Sequence, residues 1–438
     1  MRDNNMTTKL LRVTTVPTSL ISFCTGLMRE LTEDGYEVVA VSSPNTSAAP
    51  GETRSELEEF GRQEGVRTIA VPMERRISPT KDLKSLWRMW RVLRREHPDM
   101  VHSMTPKAGL VTMLAAWLAR VPVRIHTFTG LVFPTETGLK RRLLMATDWL
   151  TCACATHVIP EGEGVKADLL NHGITHKPLK VLGYGNIKGI DLDHWNREAA
   201  DINAQDIANS ASEATQIPPI CNRGGECESH AAGTEMAQTP PLTPPLCKRG
   251  GEVDAAAPFR FVFVGRIVGD KGINELVAAF KRLHDELPGT KLTLVGSYEE
   301  NIDPVKPDIR AEIKRNPAID AVGSQSDVRP YYVAADALVF PSYREGFPNV
   351  VLEAGAMGLP SIVTDINGSR EIIIEGRNGT IVPPRDEEAL YRAMQHWVTH
   401  RDEVARMAAE ARPLIASRFE QDYVRRCLKE FYRQVAKR

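Results

Sequence analysis

The sequence predicts an α/β chain of two parallel-sheet domains. Short apolar runs of strand length alternate with segments of helical periodicity along most of the 438 residues, which is the βαβ pattern of a parallel sheet with helices on both faces. The length leaves room for two domains. Residues 198–257 interrupt the alternation near the middle, being rich in Ala, Ser, Gly and Pro with almost no apolar periodicity.

In the first half, strands are expected at Leu10 to Thr15, Val38 to Val41, Thr68 to Val71, Met100 to Ser103, Val121 to Phe128 and Thr156 to Pro160. Pro17 to Leu20 reads as a loop at the carboxyl end of the first strand. There Ser19 either offers a hydroxyl to a ligand or caps the helix marked by Phe23, Leu27 and Leu31, the cap being preferred. No G-x-G-x-x-G follows that strand, so a dinucleotide fingerprint is absent. Asp82 to Glu96 reads as an amphipathic helix with Leu83, Leu86, Trp87, Trp90 and Leu93 on one side and Lys84, Arg88, Arg91, Arg94 and Arg95 elsewhere. Lys140-Arg141-Arg142 before Leu143-Leu144-Met145 is a second basic-apolar stretch. Such helices either lie on anionic lipid or pack on the sheet with their charges in water. His102, Lys107 and His126 fall near carboxyl ends of strands, where open α/β sheets bind ligands.

The interruption carries an internal repeat, Ile217 to Glu226 against Thr243 to Glu252. Its cysteines, Cys221, Cys227 and Cys247, lack a fourth ligand at finger spacing. It reads as a disordered insertion between domains. In the second half, strands are expected at Phe259 to Val264, Lys291 to Val295, Ile319 to Gly323, Ala337 to Phe340, Ser361 to Thr364 and Gly379 to Val382. A helix from Phe419 to Val435 ends the chain.

Composition narrows the function classes. The formal net charge is −1, with 25 Lys and Arg against 19 Asp and Glu in residues 1–190 and 30 against 37 in the remainder. A basic first half suits an anionic surface or substrate, yet the excess is too modest to argue for nucleic acid. Seven cysteines without regular pairing suggest a reducing compartment. Met1 to Lys9 is polar, unlike a signal peptide, and the longest apolar stretch, Ala108 to Leu118, is too short to span a bilayer. The expectation is a cytoplasmic protein, free or at the inner face of a membrane.

Two motifs carry the chemistry. Gly265-Arg266-Ile267-Val268-Gly269-Asp270-Lys271-Gly272 follows a strand, and its Arg fork and Lys point charge suit phosphate oxygens. Glu345-Gly346-Phe347-Pro348-Asn349-Val350-Val351-Leu352-Glu353 joins a strand end to a helix start, where free amides favour an anion. Carboxylates would repel that anion, so the two acids are read as binding hydroxyls. Glu345 would face a sugar and Glu353 a ribose diol. The spacing alone also fits acids that merely complement the helix dipole.

With its flanks, the second motif resembles the Glu-x7-Glu motif of retaining glycosyltransferases of family 4, the glycosyl transferases group 1. Pro341-Ser342, Glu345-Gly346-Phe347-Pro348 and Glu353-Ala354 match it, as does the Gly-Arg…Lys-Gly of residues 265–272. The resemblance implies a GT-B fold, two Rossmann-like domains facing across a cleft. Residues 8–192 would bind the acceptor and residues 258–418 the nucleotide sugar, with the helix 419–436 returning to the first domain. It implies sugar transfer from a nucleoside diphosphate sugar, UDP-linked, with retained configuration and with neither cofactor nor metal. Arg266, Lys271 and Glu345 would be catalytic, with His126, or in another register Thr129, at the strand end. Backbone around Val322 would meet the base, and Gly346, Phe347, Asn349, Val350 and Glu353 the rest of the donor. Lys107 and Ser19 would meet the acceptor. The branch resembled makes capsular, O-antigen or lipid-linked oligosaccharides, implying a polyprenyl-diphosphate-linked acceptor and peripheral contact with the inner membrane. A nucleotide-sugar epimerase of the same architecture and a transferase to a soluble acceptor are the alternatives.

Overall fold

Twelve strands form two six-stranded sheets in a computed structural model that describes residues 7–46, 55–74, 78–197, 257–299 and 303–436. The reading of residues 198–257 as an insertion falls almost wholly outside the described residues. The first sheet holds β1 (Lys9–Val13), β2 (Glu37–Ser42), β3 (Arg67–Ala70), β4 (Met100–Met104), β5 (Val123–Phe128) and β6 (His157–Pro160). The second holds β7 (Phe259–Val264), β8 (Thr290–Val295), β9 (Ile319–Gly323), β10 (Ala337–Phe340), β11 (Ser361–Thr364) and β12 (Gly379–Val382).

The strand orders are β3-β2-β1-β4-β5-β6 and β12-β11-β10-β7-β8-β9, and the recorded pairings are parallel. Renumbered within its own domain, the second sheet has the order of the first, the doubly wound Rossmann order. Each order reverses at one place, between β1 and β4 and between β7 and β10. Loops leaving the two strands there part to opposite faces and open a crevice at their carboxyl ends.

Both sheets are covered by helices, so their strands are apolar runs rather than alternating ones. In the second domain Phe261, Val262 and Phe263 of β7 and Leu338 and Val339 of β10 are at most 1% exposed. They join a single core with Phe280, Leu352 and Trp397. The first domain has a core on each side of its sheet, one around Leu11, Val39 and Val101 and the other around Leu10, Ala40 and Met100.

The chain passes between domains at two adjacent places. The turn 183–190 leads out of the first domain, and the helix Arg401–Phe419 gives way to the helix Gln421–Ala436 beside it. Ile190 N–H donates to Phe419 O at 2.8 Å and Gln421 N–H to Ile190 O at 3.0 Å. The final helix buries Leu428, Phe431, Tyr432 and Val435 in the first domain. The Tyr432 hydroxyl meets the buried Arg12 guanidinium and lies 2.5 Å from His102 Nδ1.

Two local readings are corrected. Pro17 to Leu20 is not a loop: the helix Pro17–Cys24 starts at Pro17, with Val16 at its cap position and no side-chain cap bond. Ser19 is therefore within the first helical turn and does not cap it. That helix does not run on through Leu27 and Leu31 either. It breaks at Gly26, whose φ of 77° few other residues adopt, and the Gly26 N–H donates to the buried Glu64 carboxylate at 2.8 Å.

Candidate active site

The loops after β7 and β10, on either side of the second domain's reversal point, bring the two sequence motifs together. Arg266, Lys271, Glu345 and Gly346 line one cleft, and Thr129 and Gly130 line it from the first domain. The Lys271 ammonium donates to Glu345 Oε1, and both side chains are four-fifths or more buried. Ser342 Oγ donates to the same carboxylate oxygen at 2.9 Å, which fixes its rotamer. The Arg266 guanidinium donates to Glu299 Oε2 at 2.8 Å and remains 41% exposed, open to the cleft. Arg344 holds Asp270 Oδ2 at 3.2 Å, while the buried Oδ1 of that half-buried carboxylate has no hydrogen-bond partner among the described residues.

The helix Asn349–Ala356 begins at this loop, with Pro348 at its cap position. Its start carries the free N–H groups that favour an anion. Asn349 Oδ1 accepts from Asn186 Nδ2 at 3.0 Å, tying the helix start to the turn between domains. Glu353 is one turn further in. Burial pushes its carboxyl up to about 7, against the pull of Lys188 and of a Tyr332 hydroxyl bond at 3.5 Å. Phe347 lines the cleft and packs on Phe419 with ring centroids 5.4 Å apart, so its ring also fixes the loop. Val350 lines the cleft. Val322 is at the carboxyl end of the edge strand β9, and its carbonyl accepts from the Gln325 side chain at 2.7 Å.

The first domain's predicted residues fare differently. His126 is in β5 and 1% exposed; its ring accepts or donates at 2.9 Å with Ser103 Oγ and is covered by Gly109. Burial lowers its pKa to about 3. It is a core imidazole, and the residues at the cleft are Thr129 and Gly130, beyond the end of the strand. Lys107 is ion-paired with Asp82 at 2.6 Å and 11% exposed, so it is committed within its own domain. Ser19 is half-buried on its helix and does not line the cleft.

The two domains touch at the cleft. Gly346 lies so close to the first domain that a Cβ on it would be 2.2 Å from Thr129 O and 2.8 Å from Gly130 Cα. Glu371 reaches across to accept from Glu163 N–H at 2.6 Å and Gly164 N–H at 3.0 Å, capping a helix of the other domain. Sequence reasoning missed this contact, the buried Glu161 and Thr105. Glu161 follows β6 and lines the cleft. Thr105 holds a φ of 71° at the first sheet's reversal point, where its hydroxyl meets Thr15 Oγ1 at 2.8 Å. A β-branched residue at positive φ carries strain of the order of 1–3 kcal/mol, and sequence does not reveal it.

Residues 258–400 match the family profile described as glycosyl transferases group 1, and residues 22–185 match the glycosyl transferase 4-like domain. The chain belongs to the group 1 glycosyltransferases. The transferase is 27% identical over 368 residues to the capsular polysaccharide biosynthesis glycosyltransferase CapM of Staphylococcus aureus, covering 84% of this chain and 85% of that one. It is 25% identical over 337 residues to an Escherichia coli UDP-Gal:alpha-D-GlcNAc-diphosphoundecaprenol alpha-1,3-galactosyltransferase, covering 76% and 74%. Its fold is shared with Anabaena HepE, solved with UDP, at a TM-score of 0.69, 15% identity and coverage of 98% and 100%. The lipopolysaccharide glycosyltransferase WaaG has a TM-score of 0.63 at 14% identity, covering 95% and 98%. The architecture is that of the GT-B glycosyltransferases.

Proposed function

We propose that the transferase moves a sugar, with retained anomeric configuration, from a UDP-linked donor to a hydroxyl of a polyprenyl-diphosphate-linked saccharide at the cytoplasmic face of a membrane. One observation carries the donor half. Arg266, Lys271, Glu345 and the amides that follow Gly346 converge on one cleft at the reversal point of the second sheet. Two cations and a helix start there can stabilise the charge that grows on a departing diphosphate. Glu345, held by Lys271 and Ser342, is oriented to accept from sugar hydroxyls, and Glu353 from the ribose. With these groups in place the electrostatic work requires no metal, and no side chain is assigned as a nucleophile. The HepE structures with UDP and with UDP-glucose support a uridine donor.

The acceptor half rests on the E. coli relative's lipid-linked substrate and on one face of the first domain. The helices Pro79–Glu96, Pro106–Ala119 and Gly138–Cys154 pack side by side. They expose Leu83, Trp87, Trp117, Leu118, Leu139, Leu143 and Trp149, each 47% or more accessible. The sequence grouped Leu83 and Trp87 with Leu93 on one apolar side of the first of these helices, to lie on lipid or to pack on the sheet. Ser85, Met89 and Leu93 are buried, because the helix rotates its Trp-rich edge outward. Three of the six Trp side chains of the chain are thus in water beside Lys84, Arg91, Lys140 and Arg142. Indole and Lys/Arg together suit the headgroup layer of an anionic bilayer. Among the described residues no helix is long and apolar enough to cross a membrane.

The test is direct. Purified transferase is incubated with UDP-glucose, UDP-galactose, UDP-GlcNAc or GDP-mannose and an undecaprenyl-diphosphate-linked saccharide in anionic vesicles. The expected result is a lipid-linked product one sugar longer from a UDP sugar, with the donor's anomeric configuration by NMR. An inverted product, or an epimerised nucleotide sugar formed without acceptor, overturns the reading.

A further inference from the structure

Glu161 is the acidic side chain that the first domain contributes to the cleft. It directly follows β6, is 3% exposed, and lines the same cavity as Arg266, Lys271, Glu345 and Gly346. Its backbone is fixed at both ends, its N–H donating to Phe128 O at 3.1 Å and its carbonyl accepting from Asn186 N–H at 2.8 Å. The carboxyl itself is held by the Ile187 N–H of the turn between domains. We propose that Glu161 is a sugar-binding residue of this cleft, donating a hydrogen bond to a hydroxyl oxygen of the sugar being transferred. The inference rests on the transferase reading above.

The surroundings decide which protonation state does this. Glu345, itself paired with Lys271, faces Glu161 from the loop after β10, and Glu371 faces it from the short helix Ser369–Ile372. Arg266 lies on the loop after β7, and the Ile187 N–H donates to the carboxyl from the interdomain turn. On its own segment, Glu163 and Lys166 pair with each other at 2.9 Å. Burial dominates, with the two acids adding to it against the Ile187 bond, and the carboxyl is pushed up to about 8. At neutral pH it is a carboxylic acid with an O–H to give. A diphosphate entering the cleft adds negative charge and favours the same state. Glu345 thus accepts from sugar hydroxyls and Glu161 donates to one, so the two acids read opposite ends of hydroxyl dipoles.

The experiment uses the full-length protein and three variants, Glu161→Gln, Glu161→Ala and Glu161→Asp. UDP affinity is measured by calorimetry, and kcat and KM for UDP-glucose and UDP-galactose from pH 6 to 9.5. Wild-type activity should fall as pH rises through about 8. Glu161→Gln, which keeps a donor and cannot ionise, should lose that alkaline limb and keep more neutral-pH activity than Glu161→Ala. Glu161→Ala should raise KM for the UDP-hexose about tenfold, the loss of one hydrogen bond, with UDP affinity changed less than about twofold. Glu161→Asp, too short to reach, should behave like Ala. An alkaline limb that persists in Glu161→Gln overturns the inference. So does an equal loss of UDP and UDP-hexose binding in Glu161→Ala, or activity that rises through pH 8 and vanishes in the Gln variant, the signature of a base. A wild-type protein that binds neither UDP nor a UDP-hexose overturns the transferase reading first, and this inference with it.

Discussion

The Lys271 ammonium and the Glu345 carboxylate are ion-paired across the gap between the loops that follow β7 and β10. On the proposed reading the two groups serve opposite parts of a donor, and the ion pair holds them in register. Lys271→Ala leaves a largely buried carboxylate without its cation, and Glu345→Gln replaces the carboxylate proposed to accept from sugar hydroxyls by a weaker, neutral acceptor. Each variant should lose about 100-fold or more in kcat/KM, the scale of one lost charge-stabilising group, while far-UV circular dichroism stays native. Turnover within threefold of wild type in either variant would remove that residue from the site.

Gly346 is placed where only a hydrogen fits against Thr129 and Gly130. Gly346→Ala should hold the domains apart. We expect kcat to fall about 100-fold, the cost of a misplacement near 1 Å, with UDP affinity nearly unchanged and a larger radius of gyration in small-angle scattering. An unaltered radius with full activity would show that the contact is dispensable.

His102 and His126 are buried and neutral, with pKa values lowered by burial, that of His126 to about 3. An imidazole freed by unfolding titrates near 6.5, so below that pH the unfolded chain binds protons that the folded one refuses. Stability is complete above about pH 6.5 and drains as pH falls, by about 1.4 kcal/mol per pH unit for each imidazole. Urea unfolding from pH 7 to 5 measures this. His126→Gln should flatten the slope by about one proton, and an identical slope would contradict the assignment.

The exposed indoles of Trp87, Trp117 and Trp149 predict binding to vesicles containing phosphatidylglycerol. Replacing all three by Ser should cut co-sedimentation about tenfold or more, since each indole buries apolar area in the interface. Transfer to a soluble, short-chain acceptor should be unaffected. Equal co-sedimentation of variant and wild type would discard this face.

Strands in the second domain were legible almost to the residue. Phe259–Val264, Ala337–Phe340 and Ser361–Thr364 are where their apolar runs end, because burial on both faces writes a strand as an unbroken run. The same logic misled at His126. Proximity to a strand's carboxyl end is readable from sequence, but the direction of its side chain is not, and β5 turns this ring under the helix Pro106–Ala119. Lys107 looked available because its partner, Asp82, is 25 residues away. Glu161 left no trace, since what buries it is the turn 185–187 arriving from further along the chain.

The two crossings between domains run side by side, joined by Ile190, Phe419 and Gln421. A single tether would let the halves swivel; a paired one restricts them to swinging about one axis, like a door on two pins. Whatever enters the cleft therefore meets the same opposing wall at every closure. The placement of Thr129 and Glu161 opposite the loops after β7 and β10 is set by this double pivot rather than by anything that enters between them.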